Sequence, residues 1–199
     1  MNYLEEYKVA VPEGQRGPWR VERFTVGEHD IGRVICSFDG RDVLPGTYTR
    51  LIKEGEYAPT MSDTPAEISD HLWFIHRAQG KCLINGLGLG VVLRAILKKP
   101  EVTQVDIVEI DLDVINLVWP TYQSDPRCTI HHDDAYSIIW PKHKRWDCAW
   151  HNIWASMCTD NLEGVTRLKR KYGHRVAFQA AWCEDFLRRE KRRDRWMPW

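Results

Sequence analysis

This 199-residue chain is as informative for what it lacks as for what it has. No stretch approaches the roughly 18 consecutive apolar residues of a membrane-spanning helix. The opening residues, MNYLEEYKV, have no apolar leader core. A cytoplasmic protein with no membrane partner is expected. The six cysteines, Cys36, Cys82, Cys128, Cys148, Cys158 and Cys183, form no CxxC pair. Neither a zinc site nor a disulfide framework follows; Cys82, Cys128 and Cys148 read as small buried hydrophobes of a reducing compartment. His131-His132-Asp133 offers ligand-type residues, but one strand cannot close a metal site alone, so no metal is expected. There is no internal repeat and no net charge: 28 Lys and Arg balance 28 Asp and Glu. The balance hides an asymmetry, because residues 1–141 carry −7 and residues 142–199 carry +7. A basic end suits either a polyanion or a set of salt-bridged helices.

What is present starts with Lys81–Asp111. Cys82-Leu83-Ile84 reads as a buried strand, and Asn85-Gly86-Leu87-Gly88-Leu89-Gly90 as a turn with glycine at every second position. An apolar helix follows and stops before Pro100. A second strand, Val105–Ile110, carries Glu109 near its end. Strand, glycine turn, helix, strand and acid make half of a nucleotide-binding α/β sheet. Glycines admit positive φ and let a ligand approach the backbone, and the following helix would turn free N–H groups toward it. Glu109 lies 19 residues after Gly90, near the roughly 20 expected of a ribose-binding acid. Val91 stands where a dinucleotide fingerprint needs a third small residue. The pattern is therefore GxGxG, which favours a nucleoside of the S-adenosylmethionine kind over NAD.

Around this centre, residues 1–57 read as a small antiparallel β region, with runs at Val9–Val11, Trp19–Val26, Ile31–Phe38 and Thr47–Ile52 separated by Gly, Pro and Asp. Residues 58–199 read as an α/β domain. Thr64-Pro65-Ala66-Glu67 begins its first helix with a capping-box pattern, and Gly80 is expected to end it. Ser62, Asp63 or Thr64 either binds a ligand's amino-acid end or only caps that helix. A helix from Asp111, a strand at Arg127–His132, a short helix closed by Pro141, a strand at Trp146–Trp150, a helix to Tyr172, a strand at Arg175–Gln179 and a basic helix from Glu184 follow. Polar residues gather at the strand ends, where open α/β sheets bind ligands. Ten tryptophans point to a bulky aromatic core or to flat-ligand surfaces.

These motifs, with Asp39-Gly40, Val108-Glu109-Ile110-Asp111, Asp125-Pro126-Arg127, Asp134-Ala135 and Trp146-Asp147, resemble the class I S-adenosylmethionine-dependent methyltransferase fold. Within it the chain looks most like spermidine synthase and related aminopropyltransferases, from about Phe38 to Trp154. The resemblance implies a doubly wound, mostly parallel Rossmann-like sheet, trimmed at its C-terminal end, behind the small N-terminal β region. It implies S-adenosyl-L-methionine as cofactor, with Asn85, Gly86, Gly88 and Gly90 passing under the ligand. Glu109 would hold the ribose, Ile110 would pack on adenine, and Asp134, with Asp133 and Ala135 beside it, would receive the adenine amino group.

The departures bear on the reaction. Aminopropyltransferases end the fourth strand with an aspartate base. Here Asn152 stands there, and a neutral amide orients an amine but cannot deprotonate it. His151 either substitutes as base or is a packed or solvent-facing histidine. Asn152, with His151 or Asp63 assisting, would position the acceptor, and Ser62 and Trp154 could hold it. Leu89 stands where those synthases have an acid in the glycine turn. Asn152-Ile153-Trp154-Ala155 also resembles, without its prolines, the motif of amino-methyltransferases acting on nucleic-acid bases. The expected activity is a methyltransferase of unknown acceptor. A non-catalytic nucleoside-binding protein and a divergent aminopropyltransferase are the alternatives. The basic helix Arg188–Arg195 could reach nucleic acid phosphates or stand solvated. The last sheet edge would be trimmed, covered by Trp182, Trp196 and Trp199, or covered by a second subunit in a homo-oligomer.

Overall fold

The computed structural model describes residues 3–28, 43–56 and 58–196. Four antiparallel strands come first: β1 (Gly14–Arg16), β2 (Trp19–Val26), β3 (Gly46–Lys53) and β4 (Met61–Ser62), in that spatial order. The β2–β3 ladder runs from Trp19↔Lys53 to Val26↔Gly46. Its alternating residues send Trp19, Val21 and Leu51 into the core. Val9–Val11 is not a strand. The Val9 N–H goes to the Asp63 carboxylate at 3.1 Å, and Tyr3–Tyr7 ahead of it forms a 3₁₀ turn. Ile31–Phe38, Cys36 and Asp39-Gly40 lie outside the described residues.

The second sheet is parallel throughout. Its elements are α1 (Pro65–Arg77), β5 (Gly80–Asn85), α2 (Val91–Leu97), β6 (Val102–Glu109), α3 (Leu112–Val118), β7 (Cys128–His132), β8 (Trp146–His151), α4 (Asn161–Tyr172), β9 (Val176–Ala181) and α5 (Glu184–Trp196). The strand order is β7-β6-β5-β8-β9. The fold is thus α/β, a Rossmann-like parallel sheet with a four-stranded antiparallel sheet before it. Strand order reverses between β5 and β8, so a crevice opens beyond their carboxyl ends.

Local chemistry sets the element ends. Asp111 caps α3, its Oδ1 accepting the Asp113 and Val114 amides at 2.9 and 3.4 Å. Pro65 begins α1, but the Thr64 side chain makes no cap bond. Glu67 instead reaches back to the Ser62 N–H at 2.7 Å. α1 stops at Arg77, and Gly80, with φ +61°, begins β5 rather than ending the helix. The stretch from Asp133 to Pro141 is a turn, not a helix. The Asp134 carboxylate takes the Tyr136 amide at 2.9 Å as a helix cap would, and the Ile138 N–H reaches Asp134 O at 2.8 Å, but the chain completes only this turn before Pro141.

Each face of the parallel sheet has its own core. Ile68, Phe74, Leu93, Ile96, Ile107 and Val114 pack under α1, α2 and α3. Leu83, Val108, Trp146, Ala149, Leu168 and Tyr172 pack under α4. The second core holds a buried carboxylate, Asp106. It accepts bonds from Trp146 Nε1 at 2.8 Å, His131 Nε2 at 3.0 Å and Lys144 Nζ at 2.6 Å. Burial pushes its carboxyl up, but the bonds from His131, Lys144 and Trp146 outweigh burial and hold it below its usual range. Cys82 and Cys148 are cross-strand neighbours with sulfurs 3.3 Å apart, both free and buried as small core residues.

Candidate functional site

A cavity of about 510 Å³ lies over the carboxyl ends of β5, β6 and β8, with residues of the N-terminal sheet as its other wall. It forms because consecutive strand ends are held together. The Asn152 N–H donates to Asn85 O at 2.9 Å, and the Gly86 N–H donates to Val108 O at 2.8 Å. Gly86 has φ +93°, and a Cβ there would overlap the Asn152 carbonyl oxygen. Gly88 has φ +50°, and a Cβ there would lie 2.7 Å from Met61 Sδ. Both line the cavity, and both are also needed for the chain to pack against itself. Gly90 is outside the lining and packs on Tyr122, whose hydroxyl donates to Gly90 O at 3.2 Å.

Glu109 is the polar centre of this wall, with 9 % of its surface exposed. One oxygen accepts the Leu87 N–H at 2.8 Å, and the other accepts the Asp111 N–H at 2.9 Å. A carboxylate has about four acceptor positions, so each oxygen keeps capacity for a hydroxyl donor such as a ribose diol. Met61 Sδ accepts the Leu89 N–H at 3.2 Å. With Leu87 and Leu89 amides engaged and α2 only seven residues long, the turn does not present the open ring of donors that a phosphate needs.

Ile110 is 65 % exposed and lines the cavity, an apolar platform with no core of its own. Asp134 and Ala135 line it from the β7 end, with Tyr136 beside them. Asn152, Ile153 and Trp154 line it from the β8 end. Trp154 and Tyr136 share the space over Gly164, where a Cβ would come within 3.1 Å of Trp154 Nε1. The acids Glu56, Glu109, Asp111 and Asp134 face one lysine, Lys53. That lysine sits over the Trp19 ring at 5.3 Å. The field of such a lining suits a cationic ligand and opposes a phosphorylated one.

Besides Gly90, the expected site residues His151, Asn85, Asp63, Ser62 and Asp133 are not in the lining. His151 is completely buried. Asn85 Nδ2 donates to its Nδ1 at 2.8 Å, which leaves the proton on Nε2, facing Gln179 Oε1 at 3.1 Å. Burial pulls its pKa down to about 4. It is a neutral link between β5, β8 and β9, not a base, and Asn85 is the same link from the other side. Asp63 is sealed, its carboxylate holding the Thr49 amide at 2.6 Å and the Val9 amide at 3.1 Å. Ser62 donates its hydroxyl to Glu67 at 2.7 Å. Asp133 turns to the Asp134 N–H at 2.7 Å. In each case a protein partner engages at least one of the polar atoms, although Asn85 Oδ1 is buried without one among the described residues.

Sequence reading missed the opposite wall: Trp19, Leu51, Lys53, Glu56, Thr60 and Met61. Trp19 Nε1 donates to Asp111 Oδ2 at 2.7 Å, pinning the N-terminal sheet to the start of α3. The alternation in β2 marks Trp19 as inward-facing, but nothing in the sequence says what it faces.

No family model matches the chain, and no curated protein matches it. Its fold does resemble solved structures. Spermidine synthase from Thermotoga maritima aligns at 20% identity and TM-score 0.44, covering 69% of this chain and 44% of that one. The N-methyltransferase NodS from Bradyrhizobium japonicum aligns at 9% identity and TM-score 0.41, covering 53% and 60%. The plantazolicin methyltransferase BpumL, in complex with SAH, aligns at 15% identity and TM-score 0.39, covering 55% and 39%. In all three the alignment spans less than two thirds of the other protein's length.

Proposed function

We propose that this chain is an S-adenosylmethionine-binding transferase, a methyltransferase of an amine or similar acceptor. The observation that carries the reading is Glu109, which faces an acidic cavity with acceptor capacity to spare on both oxygens. Glu109 would take the ribose hydroxyls, Ile110 the adenine face and Asp134 the exocyclic amine. The acidic lining would favour the sulfonium charge.

Bound S-adenosylmethionine supplies an already activated methyl group. What remains for the chain is positioning. Asn152 lines the cavity, and its side-chain carbonyl can accept from an acceptor N–H and aim the nitrogen lone pair. Trp154 and Tyr136 offer aromatic faces to a flat acceptor. With His151 and Asp63 sealed, neither is available as a general base, so the reading favours an acceptor nucleophilic without help.

The test is calorimetric titration with S-adenosylmethionine, its demethylated product and the decarboxylated form. Micromolar binding of the first two, lost in Glu109→Ala and weakened in Ile110→Ala, supports the reading. Preference for the decarboxylated form supports an aminopropyltransferase instead, and no binding of any overturns both. A second reading, a non-catalytic nucleoside-binding protein, is favoured by the sealed state of His151 and Asp63. It predicts tight binding with no methyl transfer to any amine.

A further inference from the structure

The free edge of β9 is the strongest feature the proposed site leaves unused. Among the described residues β9 pairs only with β8, so one side of its backbone has no strand partner. The strand, Val-Ala-Phe-Gln-Ala-Ala, has no charge, proline or bulge to discourage pairing. A groove of about 280 Å³ lies at its C-terminal half, lined by Gln179, Ala180 and Ala181 together with Trp73 of α1 and Phe186 of α5, among charged residues that include Asp185 and Arg189. The Trp73 and Phe186 side chains are 49 % and 45 % exposed. Trp73 meets Phe178 edge-on at 5.1 Å, so apolar surface continues from helix to strand. Such an edge, flanked by aromatics, is built to take another strand.

The charges around it indicate which strand. The Arg77 guanidinium lies 4.6 Å from the Trp73 ring centre and 5.3 Å from that of Phe178, toward the start of β9, and forms no ion pair among the described residues. Asp185, exposed in the first turn of α5, lies just past the end of β9, and its carboxylate likewise has no partner among the described residues. We infer that two copies of this chain associate by pairing their β9 edges antiparallel about a two-fold axis. That symmetry sets the start of each strand beside the end of the other. It brings Arg77 of each copy toward the other's Asp185 and packs Trp73 and Phe186 across the seam. A two-fold interface satisfies both charge pairs with one surface. The result would be one continuous ten-stranded sheet.

Light scattering behind size-exclusion chromatography tests this. The wild type is expected to approach twice the 23.4 kDa chain mass as concentration rises. Arg77→Glu and Asp185→Arg each place like charges across the seam and should run as monomers where the wild type is dimeric. An equimolar mixture of the two should regain the dimer, because the mixed pair restores both contacts. Both residues are exposed, and matching circular dichroism spectra verify that each variant is folded. A wild type that stays monomeric at every concentration overturns the inference. So does a dimer unaffected by either substitution, or a mixture that fails to recover.

Discussion

Glu109 and Leu87 are joined by a 2.8 Å hydrogen bond that runs from the glycine turn to the end of β6. The same carboxylate that faces the cavity therefore also shapes the turn. Glu109→Ala removes an acceptor from two backbone amides, and a buried donor left without one costs about 1–3 kcal/mol. The expected outcome is loss of nucleoside binding together with a drop of that size in unfolding free energy, measured in urea. Glu109→Gln keeps the shape and one acceptor oxygen. It should recover only part of the stability and little of the affinity, because its amide nitrogen can accept neither the second backbone N–H nor a hydroxyl proton. If both variants keep full stability, the turn does not depend on this carboxylate.

Gly86 and Gly55 separate the cost of backbone conformation from that of crowding. Both have positive φ, +93° and +82°, but only Gly86 has an atom in the way, the Asn152 carbonyl. At Gly55 nothing lies within 4 Å. Gly55→Ala should cost about 1 kcal/mol from the left-handed backbone alone. Gly86→Ala must also part β5 from the end of β8, so on the order of 3 kcal/mol or more is expected. Thermal unfolding of the two variants checks the ordering, and equal losses would mean the strand ends yield freely.

Much of this was legible in sequence because it is local. The glycine turn, the acid after the next strand and the Asp111 cap are short-range patterns, and the structure has them where the spacing puts them. The Asp133–Pro141 stretch was not, because only one helical turn forms there, closed by the Ile138 N–H on Asp134 O, and a single turn before a proline does not propagate. His151 and Asn152 show the limit at the site. Alternation along a strand says that neighbours point opposite ways, but not which of them meets the cavity. That is decided by Tyr172, which stacks 5.5 Å from the His151 ring on the inner side, and by Gln179 on the next strand. The N-terminal wall was invisible for the same reason, since Trp19 and Asp111 are 92 residues apart.

His151 gives a pH prediction with a definite sign. Burial holds it near 4 in the folded chain, against 6.5 as its ordinary value. Below 6.5 the unfolded chain takes up a proton that the folded chain refuses, so folding is penalised progressively as pH falls toward 4. The stability present above 6.5 is lost across that window, by about 3 kcal/mol in all. His151→Gln cannot titrate, and its stability should change less between pH 7 and 4, as read by urea midpoints. The same histidine contributes no neutral limb to any pH–rate profile. An activity step near pH 6.5 that disappears in His151→Gln would return it to the chemistry.

Ile110 isolates ligand binding from folding. It is 65 % exposed, so trimming it exposes no core and opens no internal void. Ile110→Ala should change stability by no more than about 0.5 kcal/mol, as for surface substitutions in general. Against a bound nucleoside the same side chain would be covered, and losing its buried methyl and methylene groups would cost about 1–2 kcal/mol of affinity. That is roughly a five- to thirtyfold rise in Kd at 25 °C. Ile110→Asp would add a further acid to a lining that already has four against one lysine. It should weaken the neutral demethylated product more than the sulfonium form, which is attracted to that charge. Titrating both ligands against both variants therefore reads the apolar and electrostatic contributions separately. Equal losses for the two ligands in Ile110→Asp would show that the cavity does not sense the positive charge.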